Sequence, residues 1–121
     1  MGSGNEASLA EAIAKPLASP PVILTGRTSL RQLASVMQAA DLCVTNDSGP
    51  MHLANALGTP TLAIFGPTDP DATAPFQDPS AYIHKPPACW PCAYRDCPFD
   101  HRCMESISPE EVFALSRRWL P

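Results

Sequence analysis

One stretch in the middle of the chain constrains the fold more than any other. Its apolar segment Leu42 to Thr45 ends at the small polar turn Asn46-Asp47-Ser48-Gly49, and helical spacing runs from Pro50 to Leu57 before a second apolar segment, Thr61 to Phe65. Proline suits the first turn of a helix because its missing N–H has no partner to lose there. The order strand, turn, helix, strand predicts a parallel βαβ unit. Its first turn directs unpaired backbone N–H groups above the sheet edge, which suits a phosphate-bearing ligand.

The rest of the chain continues this alternation. Further elements are predicted from apolar residues at helical spacing and from apolar runs: helices at 7–17, 30–40 and 109–119, and strands at 22–25 and 81–84. Either Thr28 or Ser29 is expected to cap the second of these helices, and Ser108 the last. Strands that alternate with helices predict an α/β fold with a Rossmann-like parallel sheet and flanking helices.

Composition narrows the class of function. The chain has 121 residues, with eight Lys and Arg against twelve Asp and Glu, and this acidic balance argues against a nucleic-acid-binding surface. No apolar run approaches the ~20 residues of a membrane span. The N-terminus lacks the basic and apolar regions of a signal peptide. We therefore expect a cytoplasmic location with reduced cysteines.

Polar residues beside strand ends are the candidate ligand contacts. They follow the two strands of the central unit or begin its helix: Asp47, Ser48, Gly49, His52, Thr68 and Asp69. Ligands of open α/β sheets bind at the carboxyl ends of strands, so this placement favours a binding site. Structural roles are the alternatives: an Asx turn at Asp47, a hydrogen bond from His52 to a carbonyl, and a plain turn at Thr68 and Asp69.

Two sequence blocks carry a family resemblance. The run from Thr45 to Ala54, TNDSGPMHLA, and the run from Gly66 to Pro70, GPTDP, closely resemble glycosyltransferase family 9, the ADP-heptose:lipopolysaccharide heptosyltransferases. The cysteine-containing run from Pro91 to Met104 is similar to the heptosyltransferase II branch. The resemblance extends from about Gly2 to Val112. It implies that residues 1–121 form one partial nucleotide-sugar-binding domain, the incomplete C-terminal half of a GT-B fold.

The same resemblance implies the partners and the roles of individual residues. ADP-heptose is the implied donor, and the lipopolysaccharide inner core is the implied acceptor, bound mainly by the other, absent domain. The catalytic base is expected in that absent domain, so no catalytic residue is assigned here. Glu6 is implied to bind the ribose, and Thr28 lies in the segment implied to meet the adenine. Peripheral contact with the inner membrane is compatible with the full enzyme.

The resemblance also raises a difficulty for the strand at 22–25. The first two strands of the implied domain are missing, and in the usual order 3-2-1-4-5-6 they separate this strand from the one at 42–45. Unpaired backbone groups in a buried strand are costly. We expect the 22–25 strand to move against the 42–45 strand, or a second copy to supply the missing pairing as a homo-oligomer, or the fold to be marginal.

A Cys/Pro-rich loop, residues 86–107, has cysteines at a spacing that is compatible with binding a metal ion. Its four cysteines follow a C-x2-C-x4-C-x5-C pattern: Cys89, Cys92, Cys97 and Cys103. Four thiolates at this spacing can hold a tetrahedral zinc, with His84 or His101 as substitute ligands. A loop packed without metal and a disulfide are the alternatives. Two rival functions therefore stay open, a zinc-binding interaction module and a nucleotide-binding half domain without chemistry.

Overall fold

The computed structural model describes residues 2–92, 94 and 96–120. They form two compact units, one up to Ser35 and one from Val36. After a short 3-10 turn at Gly4–Glu6, the elements in chain order are α1 Ala7–Ala14, α2 Leu30–Gln38, β1 Cys43–Asn46, α3 Gly49–Ala56, β2 Thr61–Phe65, α4 Pro70–Thr73, β3 Ser80–His84, α5 Arg102–Glu105 and α6 Pro109–Ser116.

The N-terminal unit corrects one prediction. The expected strand at 22–25 is wrong, because this segment pairs with no strand in the part of the chain that the structure describes, and Val22 is 85% exposed. An isolated extended segment gains no ladder hydrogen bonds, so apolar residues alone do not make it a strand. The turn that follows is fixed by Gly26, whose backbone N–H donates to the carbonyl of Gly2 and whose φ of 68° suits glycine.

The C-terminal unit contains a three-stranded parallel sheet in the order β1-β2-β3. Cys43 lies opposite Thr61 in the first pair, and Thr61 lies opposite Ser80 in the second. This arrangement confirms the predicted α/β class, and β2 has the predicted bounds. Both β1 and β3 are edge strands of the described sheet. The pairing of β1 with a second copy stays a prediction.

The core lies between the sheet and α3. Met51 and Ala54 of α3 are fully buried, and Met51 packs against Ala63 and Phe65 of β2. Side chains alternate across a strand, so Ile64 faces the other side of the sheet. There it lines an apolar groove of about 440 Å³ together with Val44, Val112 and Phe113.

The buried side chains of Asn55 and Thr59 in this unit have hydrogen-bond partners. Asn55, only 1% exposed, donates through Nδ2 to the carbonyl of Gln77 at 2.7 Å, and its Oδ1 accepts from the backbone N–H groups of Phe76 and Gln77. The Thr59 hydroxyl donates to the carbonyl of Met37 at 2.9 Å. Such pairing offsets the cost of burial. The Asn55 side chain therefore holds the loop between α4 and β3.

Local capping signals define where α2 and α6 begin, as predicted, whereas α1, α2 and α6 end two or three residues earlier than predicted. The Ser108 hydroxyl accepts from the N–H of Glu111, and the Glu111 carboxylate accepts from the N–H of Ser108, which is a capping box. Ser29 pairs in the same way with Gln32 before α2. Lys85, after β3, donates to the Ser106 carbonyl and to Glu111. The short helices α4 and α5 are additions that the apolar spacing did not predict.

None of the described helices has both the length and the apolar character needed to cross a membrane.

Candidate functional site

Two turns lie together at the carboxyl edge of the sheet. The first turn, residues 47–48, joins β1 to α3, and the second, residues 66–69, joins β2 to α4. Because β1 and β2 are parallel, with Asn46 opposite Ile64, the two turns leave the same edge of the sheet. Ligands of open α/β sheets bind at this edge. The sequence prediction that these two turns share one site is consistent with this geometry.

A threonine that the sequence reasoning missed joins the two turns. Thr73 Oγ1 lies 3.1 Å from Asp47 Oδ2 and 3.2 Å from the carbonyl oxygen of Asp69, so two acceptors share its one proton. Asp69 also caps α4, since its Oδ1 accepts from the N–H of Asp71 at 3.0 Å. An Asp-Pro pair is a favoured start of a helix, with Asp at the cap and Pro in the first turn. Thr73 lies four residues after Asp69, which is one helical turn later. That signal identifies the short helix but not its bond to Asp47.

The N-terminus of α3 is open toward solvent. The Ser48 hydroxyl donates to the Asn46 carbonyl at 3.2 Å, and no side chain of the described residues caps the first amides of α3. Gly49 and His52 are exposed, and a Cβ added at Gly49 would meet nothing within 4 Å. The first N–H groups of a helix lack intrahelical partners and carry positive potential. This end of α3 is therefore suited to an anionic group.

The Cys/Pro-rich loop fixes the second turn through two hydrogen bonds and one packing contact. Trp90 Nε1 donates to the carbonyl of Thr68 at 3.1 Å, and the N–H of Cys92 donates to the carbonyl of Pro67 at 3.1 Å. Gly66 packs so closely on Met104 that an added Cβ would lie 2.6 Å from its Sδ. The Thr68 and Asp69 side chains are thereby presented on a turn that three contacts fix.

The remaining predicted residues belong to the N-terminal unit. Glu6 Oε2 accepts hydrogen bonds from both the hydroxyl and the N–H of Ser3, each at 2.7 Å. Both bonds lower the pKa of the Glu6 carboxyl, and the bond from the hydroxyl has the larger effect. Thr28 is partly buried just before α2. The structure places six of the eight predicted residues in the two turns or in the first turn of α3, while the ligand-binding roles of all eight stay predictions.

The cysteines of the loop line one cavity but do not form a metal site. Cys89, Cys92, Cys97 and Cys103 border a cavity of about 130 Å³, and all are free thiols. Among the described residues, no three His, Cys, Asp or Glu side chains are placed to hold an ion. The fifth cysteine, Cys43, lies in β1, where burial raises the pKa of its thiol. The geometry gives no support to the zinc hypothesis.

Comparison with known proteins agrees with this architecture. The model of glycosyltransferase family 9 (heptosyltransferase) matches residues 1–102. The chain belongs to this family. Lipooligosaccharide heptosyltransferase 2 of Campylobacter jejuni is 39% identical over 99 residues, which are 80% of this chain and 31% of that protein. Lipopolysaccharide heptosyltransferase 1 of Pseudomonas aeruginosa is 36% identical over 120 residues, 96% of this chain and 33% of that protein.

Solved structures of the family have the same fold. The chain superposes on E. coli ADP-heptose lps heptosyltransferase II with a TM-score of 0.82 at 28% identity, covering 98% of this chain and 34% of that one. The family 9 glycosyl transferase of Veillonella parvula gives a TM-score of 0.81 at 24% identity, which supports the fold alone. The chain is therefore a heptosyltransferase-family piece that spans about a third of its relatives' length and matches a portion of a GT-B structure.

Proposed function

We propose that this chain is the donor-binding part of an enzyme that transfers heptose from ADP-heptose to the lipopolysaccharide core. The observation that carries the proposal is the pair of turns at one sheet edge, which the Thr73 hydroxyl joins through Asp47 and Asp69. In this proposal the chain is the C-terminal, nucleotide-sugar half of the enzyme, and the acceptor is bound by the part that this chain lacks.

The open end of α3 provides the charge complementarity for a diphosphate. In this proposal backbone N–H groups near Gly49 donate hydrogen bonds to the leaving group, and the Ser48 hydroxyl does so by turning away from the Asn46 carbonyl; together they stabilise the negative charge that grows as the sugar departs. Because a carboxylate repels a diphosphate, Asp47 acts on hydroxyl groups or holds the turn, as its bond to Thr73 supports. His52, exposed on α3, donates a hydrogen bond to a phosphate oxygen in this proposal.

The second turn faces the sugar in this proposal. Thr68 is exposed and Asp69 partly so, and both leave the same edge as the first turn. Hydroxyl and carboxylate groups recognise sugar hydroxyls. By the family resemblance, Glu6 binds the ribose and the segment that contains Thr28 meets the adenine. The base that deprotonates the acceptor lies in the absent part, so we expect this chain alone to bind donor in the cytoplasm without transferring heptose.

An NMR titration tests the donor site directly. We expect ADP and ADP-heptose to shift the backbone amide signals of residues 46–53, and ADP-heptose to shift those of 66–69 as well. Asp47→Asn serves as the comparison, because it keeps the side-chain shape and removes the charge. Shifts confined to other regions, or no saturable shift at either turn, would refute the proposal.

A transfer assay separates a donor-binding part from a complete enzyme. The chain is incubated with ADP-heptose and a core acceptor that lacks heptose, and ADP release is measured. We expect no release above the rate of spontaneous hydrolysis, although binding is saturable. Steady turnover would show that the chemistry resides in this chain and would contradict the assignment of the base elsewhere.

A further inference from the structure

The Cys/Pro-rich loop has a role that its cysteine spacing does not suggest. Its described residues make three contacts with the turn between β2 and α4, through Trp90 and Cys92 to backbone carbonyls and through Met104 to Gly66. The two hydrogen bonds go to the carbonyls of consecutive residues, Pro67 and Thr68. These hydrogen bonds define the path of the turn, because an oriented carbonyl fixes the plane of its peptide group and two consecutive peptide groups are oriented here.

Trp90 is itself held by a partly buried histidine. The rings of Trp90 and His84 meet edge to face with centroids 5.0 Å apart, and His84 in turn meets Phe65 at 6.5 Å. His84 is the last residue of β3 and lies opposite Phe65, the last residue of β2. The indole is thus supported by a strand end that is fixed in the sheet.

The His84 imidazole keeps this position at a cost. Its Nε2 is buried and has no hydrogen-bond partner among the described residues. A buried polar atom without a partner is destabilising, and such atoms in folded proteins call for an explanation. The imidazole packs edge to face on both Trp90 and Phe65, so the contact that supports the indole is aromatic and does not depend on the ring nitrogen.

We infer that Trp90 is a positioning residue for the sugar end of the donor, acting through the Thr68 carbonyl, and that His84 holds its indole in place. This inference rests on the proposed function, because the turn is the proposed sugar contact. It assigns the loop the task of holding a binding turn. The loop's contacts to the turn come from an indole, a backbone amide and a thioether, and none of them requires a metal.

The test compares affinities for two ligands that differ only in the sugar. Trp90→Phe keeps an aromatic ring beside His84 and removes the N–H donor, whereas Trp119→Phe makes the same change at the chain's other tryptophan. Loss of this internal hydrogen bond lowers the population of the binding-competent turn by at most the bond's contribution to stability, which corresponds to about 3- to 10-fold in affinity. We expect Trp90→Phe to raise the Kd of ADP-heptose by that factor and to leave the Kd of ADP within about 2-fold. Trp119→Phe should change neither.

Two variants of His84 test whether an aromatic ring at this position is what supports Trp90. We expect His84→Ala, which removes the support of the indole, to weaken ADP-heptose binding as Trp90→Phe does, and His84→Phe to restore it. In the spectra of the free chains, the amide signals of Thr68 and Asp69 should move in Trp90→Phe and His84→Ala and return in His84→Phe. Recovery of the signals together with the affinity ties binding to the position of the turn.

The outcomes separate this inference from the function on which it rests. If the unaltered chain binds neither ADP nor ADP-heptose, the proposed function fails and the inference fails with it. If it binds both but Trp90→Phe weakens them equally, Trp90 has a general structural role and the inference alone is overturned. Unchanged affinities in Trp90→Phe overturn it as well.

Discussion

The hydroxyl of Thr73 offers the sharpest test of the site geometry. Thr73→Val keeps the branched shape of the side chain and removes the hydroxyl that lies 3.1 Å from Asp47 Oδ2. A hydrogen bond to a charged group contributes about 1.5–3 kcal/mol. Both side chains are only partly buried, and the proton is shared with the Asp69 carbonyl, so we expect a loss below the lower end of this range, about 1 kcal/mol.

A double-mutant cycle isolates this contact from the rest of the fold. Urea unfolding is measured for the unaltered chain, Thr73→Val, Asp47→Ala and the double variant, and the coupling free energy is the non-additive part. We expect a coupling of about 1 kcal/mol. Thr68→Val, at a hydroxyl with no partner among the described hydrogen bonds, should be close to neutral. Additive effects of the two site variants would show that the turns are not joined as described.

Three further predictions concern stability. Gly26→Ala should cost about 2 kcal/mol or more, because φ is 68° and the new Cβ would lie 2.6 Å from a backbone Cα; hydrogen exchange should accelerate in the N-terminal unit, and unchanged protection there would contradict this. The hydrogen bonds from Lys85 and Ser108 lower the pKa of Glu111 from its ordinary value of 4.5, so their contribution to the free energy of unfolding is complete above that pH and is lost as pH falls through the lowered pKa. In urea unfolding, Glu111→Gln should lack this part of the acid dependence, and a pH profile identical to that of the unaltered chain would refute the prediction. Asn55→Ala leaves three backbone groups unpaired and should cost about 3 kcal/mol by urea unfolding, whereas a loss under about 1 kcal/mol would mean that water replaces the amide.

Local signals account for what the sequence predicted well. The helix that begins near Pro50, the strand Thr61–Phe65 and the Ser108 capping box each depend on residues within a few positions of one another. The strand expected at 22–25 fails for the opposite reason. Its apolar residues specify an extended chain, but a strand also needs a neighbour, and the neighbour is a long-range property.

The same distinction applies to the candidate site. The sequence placed Asp47 and Asp69 at strand ends, and parallel topology brings those ends together. It did not foresee that Thr73 bonds to Asp47 across 26 positions, or that Trp90 reaches Thr68 across 22. Side-chain contacts at such separations follow from the packed arrangement, and turn composition alone does not encode them.

The tight packing of Gly66 on Met104 makes the site chemically sensitive. Met104 is 38% exposed, and its sulfur occupies the space that any side chain at position 66 would need. Peroxide converts a thioether to a sulfoxide, which adds a polar oxygen to an atom with no room on that side. We therefore expect oxidation of Met104 to displace the turn at residues 66–69, and a methionine sulfoxide reductase to reverse the displacement.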